Sequence, residues 1–193
     1  MRVAPIVLAA LAYTSANGST QIPLQVQNAL TSIDSVPTTL QLDTVYGDHA
    51  AALLNLSAIA GDPTTDTGIR LRAIHALAKY CATTPCGAAE LAHQSLSALI
   101  TANAGEQAGA ALVVLRGAIE AIGPQRVATD LPLLLPFLDH ASRDIRAATA
   151  HALRDLCNSQ AINPLRNRQQ HETSQQVRLA ITEALRILGQ PGC

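Results

Sequence analysis

The sequence predicts an all-α protein built as a short array of stacked helix pairs, and three observations carry that expectation. One amphipathic helix is written several times: "IRLRAIHALAKYC" at Ile69 to Cys81, "IRAATAHALRDLC" at Ile145 to Cys157, and "VRLAITEALRILG" at Val177 to Gly189. The apolar 48% of the 193 residues is dominated by Ala and Leu, while aromatics make up only 2%. Ala and Leu favour helix, and the residues that favour strands are thin beyond about residue 45. Finally, Gly and Pro punctuate the chain between the periodic stretches.

The first element is the N-terminus, "MRVAPIVLAALAYTSANGST", with one cation at Arg2, an apolar run from Val3 to Tyr13, and then small residues. This order fits a secretory signal peptide over residues 1–16, with Thr14-Ser15-Ala16 as the cleavage site. A short buried helix is the competing reading. The apolar run is about half of the roughly 20 residues a membrane span needs, and no other stretch is long enough, so an exported protein without a membrane span is expected. The net charge of −1 lacks a Lys/Arg cluster, which leaves no electrostatic footprint for nucleic acid.

Residues 17–47 are rich in Ser, Thr and Gln, with Pro23 and Pro37. The alternation in "QIPLQVQ" is a weak strand signal, and Pro37 interrupts any continuous helix. An irregular, extended segment is therefore expected here, with a helix opening near Pro37.

From residue 48 to the end, 193, the pattern is regular. With position zero set at Ile69, Ile145 and Val177, position one is always Arg (Arg70, Arg146, Arg178). Position seven is always Ala (Ala76, Ala152, Ala184), and position eight is always Leu (Leu77, Leu153, Leu185). At about 100° per residue, positions 0, 4, 7, 8 and 11 share one stripe, so each helix buries one face. Asp66, Ser142 and Ser174 stand three residues before the zeros as N-caps. A degenerate copy begins at Ala111, with Leu112 in place of Arg and Ala118, Ile119 and Ile122 in register. Zeros at 69, 111, 145 and 177 lie 42, 34 and 32 residues apart, a repeat-array period. Each copy follows another helical stretch: Asp48–Ala60, Ala88–Ala102, Gln125–Asp139 (with Pro132 and Pro136 predicting a kink or a late start), and roughly Gln160–Arg168. No single pair can bury its own stripe, so neighbours must stack.

This pattern, Asp or Ser, two residues, Val/Ile-Arg, then Ala at seven and Leu at eight, resembles HEAT repeats, in particular the short kind of phycobilisome-lyase-like proteins. The resemblance covers Asp48 to Gly189 and is weakest in the second unit. It implies a right-handed α-solenoid of about four helix pairs, with the repeated helices on the concave side, binding a protein or peptide partner there. It also implies that the repeated Arg is structural, bonding carbonyls or acids of adjacent units. A monomer without cofactor is expected. Two enzymatic relatives give the alternative, an accessory or degenerate enzyme subunit. A metal hydroxylase of the deoxyhypusine kind needs several His-Glu pairs, and only His171-Glu172 is present; a bilin lyase needs aromatic lining, and the mature chain has only Tyr46, Tyr80 and Phe137. No local catalytic signature is present, so a non-catalytic scaffold is the reading adopted.

Positions six and nine lie about 150° from the centre of the buried stripe, one on either side. They read His75, Gly117, His151, Glu183 and Ala78, Glu120, Arg154, Arg186. His75 and His151 are two units apart, roughly 20 Å at 8–10 Å per packed helix, and cannot share a metal ion. A polar binding row of His151, Arg154, Glu183 and Arg186 stands against the plainer reading of solvated surface. Arg168 and Glu172, four apart, are expected to pair locally, contributing only tenths of a kcal/mol.

The four cysteines agree with an oxidising compartment, and their spacing is unlike a zinc site. Cys157 holds position twelve of its unit, where the next has Gly189, and Cys193 follows after Pro191 and Gly192 turn the chain. The predicted pairing is Cys157–Cys193 with Cys81–Cys86, the latter across Thr84-Pro85.

Overall fold

The structure, a computed structural model, describes residues 22–31, 37–83, Gly87 and 90–193. The expected signal peptide lies outside these residues, as do Cys86 and the first residues expected in the second unit's opening helix. Every regular element described is helical.

Two short helices precede the array, α1 (Leu24–Thr31) and α2 (Thr39–Tyr46). Here the expectation of an extended segment is corrected over the described residues 22–31 and 37–47; residues 17–21 and 32–36 of that segment lie outside the described residues. In "QIPLQVQ" and the three residues after it the side chains packed inward are Ile22, Val26 and Leu30, each four apart, whereas Leu24, which alternation would bury, is 70% exposed. A spacing of four is the helical period, and seven residues were too few to separate it from alternation. The helix near Pro37 does form: Thr38 and Gln41 make a reciprocal capping box at the start of α2, satisfying two otherwise orphaned N–H groups. The helices α1 and α2 pack along the first pair and so add a layer to its outer side.

The first pair is α3 (His49–Gly61) and α4 (Thr67–Thr83); the second is α5 (Leu91–Ala102) and α6 (Gly109–Ile122). In the third pair the expected opening helix, Gln125–Asp139, is instead a chain of short pieces. Two 3-10 turns (Gly123–Gln125, Ala128–Asp130) lead into α7 (Leu131–Leu134) and a further 3-10 turn (Leu135–Asp139), before α8 (Arg143–Leu156). Pro124, Pro132 and Pro136 each fall in the first turn of a piece, where the missing N–H is harmless; further in, each would block a helical hydrogen bond. The fourth pair is α9 (Ile162–His171) and α10 (Gln175–Leu188).

The second helices form one continuous layer, α4 against α6, α6 against α8, and α8 against α10. Their stripe is the core: Ala76, Leu77, Ala118, Ile119, Ala152, Leu153, Val177 and Ala184 are at most 1% exposed. Ile69 and Leu185, also expected in the core, are only partly buried against it; α10 has no described neighbour on its outer side. The repeated Ala at position seven has a packing cause. A Cβ on Gly123, position twelve of the second unit, would stand 2.6 Å from the backbone of Ala152, position seven of the third. The second and third units approach backbone to backbone at that point, and only small residues fit.

Candidate functional site

The structure brings the four predicted residues together on α8 and α10. On α8, Arg154 donates from Nε and Nη2 to the two carboxylate oxygens of Asp155, at 2.7 and 3.0 Å, and its Nη1 stands 3.4 Å from Nδ1 of His151. On α10, Arg186 donates to both oxygens of Glu183 at 2.8 and 2.7 Å. The carboxyl of Glu183 is held below its ordinary value, first by the hydrogen bonds from Arg186 and then by the charges of Arg186, Arg154 and His151. The hydrogen bonds that Arg154 donates to Asp155 raise the guanidinium's pKa, and the charge of Glu183 adds to this across the helices. The outcome is a compact surface row of two guanidiniums, two carboxylates and one imidazole. Asp155 was missed because neighbours in sequence lie about 100° apart on a helix, but the long Arg154 side chain bends round to it. On α6, Arg116 and Glu120 make a similar pair, at 2.8 Å.

The repeated Arg divides. Arg70 is 4% exposed and donates to the carbonyl of Ala60 at 3.0 Å. Arg146 donates to Glu172, which precedes α10, through Nε and Nη2 at 2.7 and 2.8 Å, and to the carbonyls of His140 and Ala141. Arg178, expected to act likewise, is exposed and makes no side-chain hydrogen bond found among the described residues.

Glu172 is likewise more than half of a local surface pair. It is 4% exposed and accepts from Arg146, from Arg168 and from the backbone N–H of Ser174, while Arg168 reaches on to Asp139. Its carboxyl is lowered to about 2, chiefly by the Arg146 hydrogen bonds. All of its acceptor capacity is engaged in joining the third unit to the fourth, which leaves no lone pair directed at a metal in the manner of a hydroxylase His-Glu pair. His140 occupies the corresponding place one unit earlier, accepting from Ser142 N–H and facing the carbonyl of Glu106.

A second buried cluster had no signal in the sequence. His93 of α5 places Nδ1 2.7 Å from Oε1 of Gln125 and Nε2 3.1 Å from Oδ1 of Asp130. All three residues are at most 9% exposed, and burial pushes the Asp130 carboxyl up against the opposing pull of His93. These side chains fasten the second unit to the segmented opening of the third.

Cys157 and Cys193 are joined, with S–S 2.11 Å and Cα–Cα 4.8 Å. Cys157 takes the left-handed conformation that closes α8, the place glycine usually fills. The Cys81–Cys86 pairing lies outside the described residues. No described helix is long and apolar enough to cross a membrane.

Stacked antiparallel helix pairs with a continuous second-helix layer define an α-solenoid, a class that generally works by holding other proteins. Residues 109–186, from α6 to within α10, match the family model for HEAT repeats. That segment consists of HEAT repeats. Nothing in the match singles out the phycobilisome-lyase-like kind. The chain matches no curated protein and no solved structure.

Proposed function

We propose that the protein is an exported, non-catalytic scaffold that binds a protein partner on the concave, second-helix face of its C-terminal half. The observation that supports this reading is the row of His151, Arg154, Asp155, Glu183 and Arg186. Arg154, Glu183 and Arg186 have side chains 28%, 42% and 56% exposed, so their charges meet solvent while their stems are ordered by mutual hydrogen bonds. Pre-ordered guanidiniums suit a carboxylate-bearing segment of a partner, because the cost of fixing long side chains is already met. Paired acids beside them favour a partner of mixed charge. The disulfide accords with an oxidising compartment, and the contact is expected to be modest, since aromatic anchors are scarce.

The test compares the wild-type chain with the double variant Arg154→Glu/Arg186→Glu as bait in the exported fraction, followed by titration of the recovered partner. The variant should bind at least about tenfold more weakly, a loss of about 1.4 kcal/mol. Its melting temperature should stay within about 2 °C, since exposed ion pairs contribute little to stability. Unchanged affinity would remove this face from the contact.

A further inference from the structure

The first helices of the pairs differ in how much they bury. Those of the first two pairs carry apolar stripes, Leu53, Leu56 and Ile59 in α3 and Leu96, Leu99 and Ile100 in α5. In α9 Leu165 alone is buried, with Ala161 just ahead of the helix and Ile162 partly covered. The inward face of α9 continues at helical spacing through Arg168 and Gln169 to Glu172, so the second half of its stripe is polar. Arg168 bonds Glu172 and Asp139, and Gln169 donates to the hydroxyl of Thr182 at 3.0 Å. The Asp139 side chain is 81% exposed, and an ion pair so open to water opens readily. Seven of the ten residues of α9 are polar or charged, so its outer side offers no apolar stripe that any further element could cover. The thin attachment belongs to the helix itself.

The two ends of this segment are anchored better than its middle. Ahead of it, Cys157 closes α8 and is bridged to Cys193. Behind it, Glu172 is held by Arg146 at 2.7 and 2.8 Å. Asn158 and Glu172 both have extended backbone, and such element-terminal residues absorb the rotation of a hinge. Meanwhile α10 has its own seat against α8, burying Val177, Ala180, Ile181, Ala184 and Leu188.

We propose that residues 158–171 form a strap that lifts as one local event, hinged at Asn158 and Glu172, while α8, α10 and the charged row they carry stay assembled. Lifting withdraws Arg168 from Asp139, the last residue of the third unit's segmented opening. Closed, the strap ties that opening to the fourth unit; lifted, it leaves the two units joined through α8, α10 and the Arg146–Glu172 pair. The device is independent of what the row binds.

Native-state amide exchange of the intact, disulfide-bonded chain reads this event directly. Protection in α9 should be at least about 100-fold lower than in the middle of α8 and α10. Exchange in α9 should respond little to urea well below the unfolding midpoint, because lifting exposes little surface, whereas exchange in α8 and α10 should rise steeply. Leu165→Ala removes the one buried anchor of the helix, so α9 should lose nearly all its protection while α8 and α10 keep most of theirs. Under native conditions trypsin should cut after Arg166 or Arg168 at least about tenfold faster in Leu165→Ala than in the wild type, since cleavage follows the population of the open form. The two pieces should separate only when the Cys157–Cys193 bridge is reduced. Protection in α9 equal to that in α8 and α10 overturns the proposal. So does a loss in Leu165→Ala spread evenly over α8, α9 and α10, or cleavage at these arginines that the variant does not accelerate.

Discussion

Replacing Glu172 by Gln keeps the shape of the side chain and removes its charge. In the wild type, five N–H groups converge on this carboxylate: two from Arg146 at 2.7 and 2.8 Å, two from Arg168 at 3.0 and 2.8 Å, and that of Ser174 at 2.8 Å. Glutamine retains one acceptor oxygen but turns an NH2 group toward guanidiniums that can only donate. The carboxyl is lowered from 4.5 to about 2, which at 1.36 kcal/mol per unit corresponds to about 3 kcal/mol of stabilisation. Breaking a buried ion pair from one side costs about 3–5 kcal/mol, so the two estimates agree. Because the folded value lies below the unfolded one, the stabilisation is complete above about pH 4.5 and is lost as the pH falls through about 2. Urea titrations of wild type and Glu172→Gln should therefore differ by about 3 kcal/mol at pH 7, about 2 at pH 3.5 and less than about 1 at pH 2.5. Amide exchange should place the loss in α9 and α10. A difference under about 1 kcal/mol at pH 7, or one that does not change with pH, would refute the assignment of Glu172 as the charged link between the third and fourth units.

Gly123→Ala drives a methyl group to 2.6 Å from the Ala152 backbone; an overpacking loss of about 1–3 kcal/mol is expected in the urea midpoint, and shrinking side chains near it should not recover the loss because the obstruction is main chain. Cys157→Ser opens a bridge spanning 36 residues; loop entropy sets the loss at up to about 4 kcal/mol, confined to the fourth unit, and peptide mapping without reductant should show Cys157 linked to Cys193 in the wild type and Cys81 linked to Cys86.

The second helices were legible in the sequence because each repeats a stripe over three turns, long enough for the 3.6-residue period to stand out. The surface position of His151, Arg154, Glu183 and Arg186 was legible for the same reason, since position on a helical wheel gives the outward direction. The helix α1 was not, because the apolar positions 22, 24, 26 and 30 in and just before it satisfy alternation and helical spacing alike. The opening of the third unit hides three prolines that look like breakers of one long helix but act as starters of several short ones. The long-range polar links were invisible because they depend on which loops stacking brings together: Glu172 reads as a partner for Arg168, four residues away, until α10 packs on α8 and delivers it to Arg146. For His93, Gln125 and Asp130, nothing local in the chain relates a residue of α5 to two turns more than thirty positions later.

The segmented opening of the third unit has a mechanical side. The array is a two-ply strip. One ply, α4, α6, α8 and α10, consists of unbroken rods in contact from end to end; the other has rods in α3, α5 and α9, but a jointed link between Gly123 and Asp139. A strip of this kind yields where its weaker ply is jointed, so compliance is concentrated in the third unit, between the N-terminal layers and the surface that carries Arg154 and Arg186. The joint is pinned on both sides, where His93 holds Gln125 and Asp130 and where Arg168 holds Asp139, so what bending it allows is set by these two polar links.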